Sequence, residues 1–294
     1  MTIEFNAECE ASARVLVKMS LQEDLGDAGD LTSLSTIPAD LNATVNIVSR
    51  QSGIVCGLVV IPIVFNELHQ TVSVKCHVQD GDAVTQQTLI ASISGPVEAL
   101  LTGERTVLNF LTLLSGIASR TAEFVVAVQH TKAVILDTRK TFPGYRLLQK
   151  YAVRCGGGTN HRMGLYDGIL IKDNHLAARG DSNCAAAVAD ARRYANSHHV
   201  NPKIEIEVDS LEQLRDALQE SPEIVMLDNM PPAMMKQAVA IRDSSASSST
   251  LLEASGGVTL QTVRSIAESG VDRISIGSLT HSSPALDIGF DWPW

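Results

Sequence analysis

The chain has 294 residues, 45% of them hydrophobic, with 23 Lys and Arg against 33 Asp and Glu, a formal net charge of −10 and a pI near 5.2. That length accommodates two domains, or one domain and a barrel, with ample apolar material for a large core. The acidic balance excludes a general nucleic-acid binder, and no run of about 18 apolar residues predicts a membrane span.

The first residues, M-T-I-E-F-N-A-E-C-E, lack the basic and apolar regions of a signal peptide. Ala11–Leu25 predicts an amphipathic helix with Val15, Leu16, Met19 and Leu25 on its apolar face, broken by G-D-A-G-D-L-T at 26–32. Residues 41–98 change period. Ala43–Val48 and Thr71–Val78 alternate, Gly53–Val60 and Leu89–Ile93 are apolar, and Asp80-Gly81-Asp82 marks a turn, so this segment predicts a β-rich sandwich with one helix around Pro62–Leu68. Its D-G-D-A-V pattern resembles lipoyl and biotinyl carrier modules, but residues 79–98 contain no Lys to modify, which excludes them. Five cysteines (Cys9, Cys56, Cys76, Cys155, Cys184) lie scattered without a C-x-x-C, and read as reduced thiols rather than a disulfide frame or a zinc site. These features predict a cytoplasmic protein.

Leu100–Ser119 predicts a deeply buried helix, because Val107, Leu108, Phe110, Leu111, Leu113, Leu114 and Ile117 cover most of its circumference. Glu104 and Arg105 stand at its start, where the plain reading is a helix-end ion pair. Strand-like and helix-like segments then alternate. The strands are Ala133–Leu136, Gly168–Ile171, Ile204–Val208, Ile224–Leu227, Thr250–Ala254 and Arg273–Ile276; the helices are Thr121–Gln129, Asn183–Asn196, Leu211–Glu220, Pro232–Arg242 and Leu260–Ser269. This alternation predicts a parallel β/α barrel, incomplete because six strands fall short of eight. The predicted division is an α+β sandwich domain over residues 1–117, with the tail 281–294 packed on it, and an open β/α barrel catalytic domain over 118–280.

Residues 139–172 are unusually cationic for an acidic chain, with Asp167 the only acid among them. Arg146, Lys150 and Arg154 stand at helical spacing before Gly156-Gly157-Gly158 and read as a solvated face. Arg139, Lys140, His161, Arg162 and Lys172 read as a pocket for a small, multiply charged anion, since a guanidinium fork matches a carboxylate bidentately. In a β/α barrel, chemistry sits at the carboxyl ends of the strands. Those ends carry Arg139-Lys140, Lys172, Glu207, Asp228, Ser255-Gly256-Gly257 and Gly277-Ser278. Glu205 and Glu207 share parity and should both face the barrel interior, where a lysine of the cationic segment or a metal would offset their burial. Glu253 is expected either to sit behind Glu207 and Asp228 or to pair with a core lysine.

The motifs L-D-T-R-K-T, Y-A-V-R-C-G-G-G-T-N-H-R-M-G-L-Y-D, I-K-D-N-H, L-T-G-E-R-T-V-L-N-F, E-I-E-V, M-L-D-N-M, L-E-A-S-G-G-V and I-S-I-G-S-L-T together resemble the quinolinate phosphoribosyltransferase family over nearly the whole chain. The resemblance implies a decarboxylating transfer from phosphoribosyl pyrophosphate to quinolinate. Arg105, Thr138, Arg139, His161, Arg162 and Lys172 would bind substrate, with Arg105 reaching into a partner subunit's site in a homodimer with shared active sites and Glu104 orienting it. Lys140 would neutralise departing pyrophosphate. Glu207 and Asp228 would hold Mg²⁺ or the ribose hydroxyls, and Ser255, Gly256, Gly257, Gly277 and Ser278 the 5-phosphate, aided by the dipole of the helix near Leu260. His161 is read as a hydrogen-bond donor to a carboxylate rather than as a proton donor. A related transferase of molybdate-linked metabolism and a non-catalytic phosphate-ligand binding protein are the alternatives. The full cation set favours a dicarboxylate over the first, and the pair Glu207 and Asp228 favours an enzyme over the second.

Overall fold

A computed structural model describes residues 4–69 and 71–294. In chain order the elements begin α1 (Ala7–Leu25), α2 (Leu31–Thr36), β1 (Asn42–Ser49), β2 (Gly53–Ile54), α3 (Val60–Glu67), β3 (Ser73–Cys76), β4 (Ala83–Val84), β5 (Leu89–Pro96) and α4 (Val97–Val128). They continue with β6 (Val134–Leu136), α5 (Arg146–Cys155), β7 (Gly168–Ile171), α6 (Asp173–Arg179), α7 (Cys184–Ser197), β8 (Lys203–Val208), α8 (Leu211–Ala217), β9 (Ile224–Asp228) and α9 (Pro232–Asp243). The last are β10 (Leu251–Ser255), α10 (Val263–Ala267), β11 (Arg273–Ser275), α11 (Ser278–His281) and β12 (Ile288–Asp291). These fall into two compact units. One takes the chain up to Ala122 with Lys140–Gly158 and Ser278–Trp294; the other takes Glu123–Arg139 and Thr159–Gly277.

The first unit is built on an antiparallel sheet in the order β12-β1-β5-β3, with a two-stranded ribbon of β2 and β4 beside it. The segment Lys140–Gly158 groups with this unit, although the sequence placed it in the barrel domain. The buried face of α1 is Cys9, Ala13, Leu16, Val17 and Leu21, while Val15 and Met19 are 61% and 63% exposed. The expected apolar face is therefore corrected: the core takes a stripe running through two small residues. Helix α4 is one continuous helix where the sequence predicted two. No proline lies between Ile117 and Thr121, so nothing interrupts the ladder. Among the described residues it is the one helix long and apolar enough to match a membrane span, but Val107, Phe110, Leu111, Leu114 and Ile117 are buried, as in a core helix.

The cations of α5 are not a solvated face. Lys150 is fully buried. Arg154 lies over the Tyr151 ring and donates to the Glu4 carbonyl at 3.1 Å, and Arg146 donates to Thr141 Oγ1 at 3.1 Å.

The second unit is a six-stranded, wholly parallel sheet in the order β6-β11-β10-β9-β8-β7. Counted along the chain from β6, that order is first, sixth, fifth, fourth, third, second. The first strand pairs with the last, as in a barrel, and the ring is left open between β6 and β7. Helices α7, α8, α9 and α10 alternate with the strands, the arrangement a parallel sheet needs to cover its faces.

Candidate active site

All six strands run the same way, so their carboxyl ends share one rim. Thr138 and Arg139 follow β6, Lys172 follows β7, Glu207 is the penultimate residue of β8, Asp228 ends β9, Ser255-Gly256-Gly257 close β10 and Gly277 follows β11. Arg105, Lys140 and Ser278 belong to the first unit. Arg105 is exposed on α4 and has no ion-pair partner among the described residues. The expected pairing with Glu104 is corrected, since the Glu104 carboxylate instead accepts the Trp292 indole N–H at 3.0 Å.

Arg162 is carried on a loop held from both sides. The Thr159 N–H donates to the Ile135 carbonyl at 2.8 Å, which runs the loop alongside β6. Asp137, fully buried just past β6, accepts the His161 backbone N–H at 2.9 Å and the Asn160 amide at 2.6 Å. Arg162 Nη1 donates to the Gly168 carbonyl at the start of β7, at 3.0 Å. Asp167 closes the following turn by accepting the backbone N–H groups of Met163 and Gly164. Burial, and then the charge of Arg139, push the Arg162 guanidinium below its ordinary value. Two arginines held close enough to repel make a place for an anion.

Lys172 caps the start of α6, its N–H donating to His175 Nδ1 at 2.9 Å, and its ammonium ion-pairs with Glu207. Asp228 is half-buried and accepts the side-chain amide of Asn229 at 2.7 Å. Asn229 has φ of 53° and its N–H donates to the Ser255 carbonyl at 2.9 Å, which ties the ends of β9 and β10 together. A Cβ on Gly256, whose φ is +95°, would lie 2.1 Å from Asn229 Oδ1. Glycine is therefore demanded there by the protein itself, a reason the sequence reading did not see. The helix expected to lend its dipole to this loop begins only at Val263 and runs five residues, so that contribution is corrected away.

His161 has partners that were not foreseen. Nδ1 accepts the Arg162 backbone N–H at 2.8 Å, and Nε2 lies 3.1 Å from Glu205 Oε2 and 3.4 Å from Glu253 Oε1. Glu253, fully buried, also accepts from Arg273 Nε at 2.7 Å. Arg273 and Glu253 are register partners on β11 and β10, which puts their side chains on one face. The expectation of a lysine partner is corrected for both acids: Glu205 lies against His161, and Glu253 against Arg273 and His161.

Burial, the largest influence, pulls His161 down, but the hydrogen bonds and charges of Glu205 and Glu253 overcome it and lift the ring to about 9. Burial raises Glu205, while Glu253 stays low against its burial because His161 and Arg273 favour the carboxylate. The Arg162 N–H occupies the Nδ1 lone pair.

Asp137, Asn229 and Arg273 were missed from sequence. An acid directly after a buried strand was the available signal for Asp137.

The rim thus combines cations suited to carboxylates, two acids suited to a hard cation or hydroxyls, and glycine turns. Comparisons with known proteins bear on the family. Residues 30–115 match the N-terminal domain and residues 117–291 the C-terminal domain described as quinolinate phosphoribosyl transferase. The chain is 43% identical over 288 residues to the nicotinate-nucleotide pyrophosphorylase (carboxylating) of Mycobacterium leprae, covering 97% of this chain and 99% of that one. It is 44% identical to the probable nicotinate-nucleotide pyrophosphorylase (carboxylating) of Bacillus subtilis, covering 92% and 89%. The solved nicotinate-nucleotide pyrophosphorylase from Francisella tularensis superposes with a TM-score of 0.88 at 38% identity, over 96% of each chain. The chain belongs to the quinolinate phosphoribosyl transferase family.

Proposed function

We infer that this protein transfers the phosphoribosyl group of 5-phosphoribosyl 1-pyrophosphate to quinolinate with decarboxylation, giving nicotinate mononucleotide, pyrophosphate and CO₂ in NAD biosynthesis. The observation that carries the reading is the match to nicotinate-nucleotide pyrophosphorylase over 97% of this chain. Carboxyl-labelled quinolinate tests it. Labelled CO₂ released only when the phosphoribosyl donor is present is the expected result; no release, or release without the donor, refutes it.

Arg139 and Arg162 grip the two quinolinate carboxylates, with Lys172, Thr138 and a partner subunit's copy of Arg105. The crowding of Arg139 against Arg162 supports this assignment. Positioning of this kind lowers a barrier by roughly 7–11 kcal/mol. The pyridine nitrogen attacks C1 of the ribose as the C1–pyrophosphate bond breaks, and Lys140 takes up charge on the departing pyrophosphate. Glu207 and Asp228 stabilise the oxocarbenium-like centre. The electron pair left on the ring carbon when the adjacent C–CO₂ bond breaks is stabilised by the neighbouring cationic nitrogen, and a proton from solvent then replaces CO₂ at that carbon.

Glu207 and Asp228 would also hold Mg²⁺. The donor set fits: both are carboxylates at adjacent strand ends, and Mg²⁺ takes one or two carboxylates with water and substrate phosphate. When bound, the ion would neutralise pyrophosphate oxygens. Gly256, Gly257, Ser255, Gly277 and Ser278 cradle the 5-phosphate. We assign the enzyme to the cytoplasm as a homodimer with shared sites; the five free thiols support the compartment, and an exposed Arg105 supports the sharing.

A further inference from the structure

The first unit holds a second constellation that the transferase reaction does not use. Cys56 lies in the loop after β2, Asp80 in the turn before β4, and Cys155 at the last position of α5. Their ligand atoms all lie within 4.8 Å of one another. Both thiols are buried and neither is in a disulfide. Nothing in the spacing of these residues announces the cluster, because three separate segments bring it together.

Asp80 is already oriented. Oδ1 accepts the Leu58 N–H at 3.0 Å and Oδ2 accepts the Tyr151 hydroxyl at 2.7 Å. Outer hydrogen bonds of this kind fix a ligating carboxylate and leave its remaining lone pairs for an ion. Asp80 and Tyr151 also line a cavity of about 600 Å³, with Cys76 and Gln79 on its wall. Of the three side chains only Asp80 lines this cavity, so the Asp80 side is where a water at a fourth position would lie. Charge balances as well. Two thiolates and one carboxylate carry three negative charges; a divalent ion neutralises two, and Arg154, whose guanidinium lies 5.5 Å from the Tyr151 ring centroid, supplies the third.

We propose that Cys56, Asp80 and Cys155 form a binding site for a thiophilic divalent ion of the zinc class, with the fourth position open to the cavity. On binding, two S–H bonds break, two metal–sulfur bonds form and two protons leave to solvent. Sulfur ligands separate this site from the all-oxygen pair Glu207 and Asp228, which suits a hard ion. The ion would pin the end of α5 to the β2 loop, and so stabilise the first unit.

The test uses the reduced, chelator-stripped full-length protein titrated with Co²⁺ and then Zn²⁺. The expected result is one ion per chain, with thiolate-to-cobalt charge-transfer absorption that Zn²⁺ bleaches. Cys56→Ala and Cys155→Ala should abolish that absorption, and Asp80→Asn, which removes a charged ligand, should raise the Kd for Co²⁺. Cys184→Ala, in the other unit, should change nothing. Circular dichroism checks that each variant folds. X-ray absorption on the zinc-loaded wild type reads the site without any substitution: two sulfurs at about 2.3 Å are expected. Absence of sulfur ligands, charge-transfer absorption that survives in a folded Cys155→Ala protein, or a Cys56–Cys155 disulfide in the protein as isolated would overturn the proposal.

Discussion

Glu253→Gln removes one charge from the barrel interior while keeping its shape. Glu253 is fully buried, 2.7 Å from Arg273 Nε and 3.4 Å from His161 Nε2. Arg273 has only 14% of its side chain exposed, so water cannot replace the lost partner. Removing one member of a buried pair costs about 3–5 kcal/mol, and a loss in that range is expected in urea unfolding near neutral pH. The pH dependence makes a second, independent demand. In the wild type the cluster holds its proton up to about 9, whereas an unfolded histidine titrates near 6.5. The folded state therefore binds more protons than the unfolded state between those values. Its contribution is fully present below about pH 6.5 and disappears as pH rises through about 9, a total of roughly 3 kcal/mol. In the variant only Glu205 remains to hold the proton, so the fall should be smaller and should come at lower pH. Unfolding is compared between about pH 6.5 and 7.5, about a unit below the ordinary cysteine value. A variant less than about 1 kcal/mol weaker than wild type, or two stability curves falling in parallel, would refute the account of this cluster.

Gly256→Ala should cost roughly 1–2 kcal/mol of stability through its backbone conformation alone, and should also displace Asn229 from Asp228. Adding Asn229→Ala should recover part of the stability but not the activity; no recovery would place the strain elsewhere. Asp228→Asn should slow turnover about 10²–10³-fold while quinolinate affinity, read by calorimetry, stays nearly intact; loss of that affinity would move Asp228 into the acid pocket. Mixing inactive Arg105→Ala with inactive Lys140→Ala should restore up to half of a dimer's activity after subunit exchange, because one site then carries both lesions and the other neither. Exchange confirmed by mass with no activity would place Arg105 in its own subunit's site.

The strands of the second unit were legible to within a residue or two, because most are short apolar runs closed by a charge or a glycine, and β8 alternates apolar and acidic residues. Helix faces were less so. Val15 and Met19 outrank Cys9 and Ala13 in hydrophobicity, yet α1 buries the small residues, since close approach to its neighbours matters more than side-chain size. Lys150 shows the limit of reading charge as solvation: it is fully buried in α5. Parity alone turned Glu205 inward, but its partner depends on which strands are neighbours and on how residues 159–162 fold back. No local pattern encodes either.

The opening in the barrel ties these observations together. Among the described residues no strand pairing joins β6 to β7, and the loop carrying Thr159 to Arg162 runs from one edge to the other. Asp137 holds its backbone on the β6 side, Gly168 takes the guanidinium of Arg162 on the β7 side, and His161 is fixed below by Glu205. A complete ring would close this space with a strand, whose side chains alternate in and out. The loop instead turns Arg162 toward Arg139 and keeps it there against their repulsion. On the proposed assignment, a dianion bound between the two arginines would relieve that repulsion and a monocarboxylate would relieve less of it, so the pair should favour quinolinate over nicotinate; equal affinity for the two acids in calorimetry would refute this.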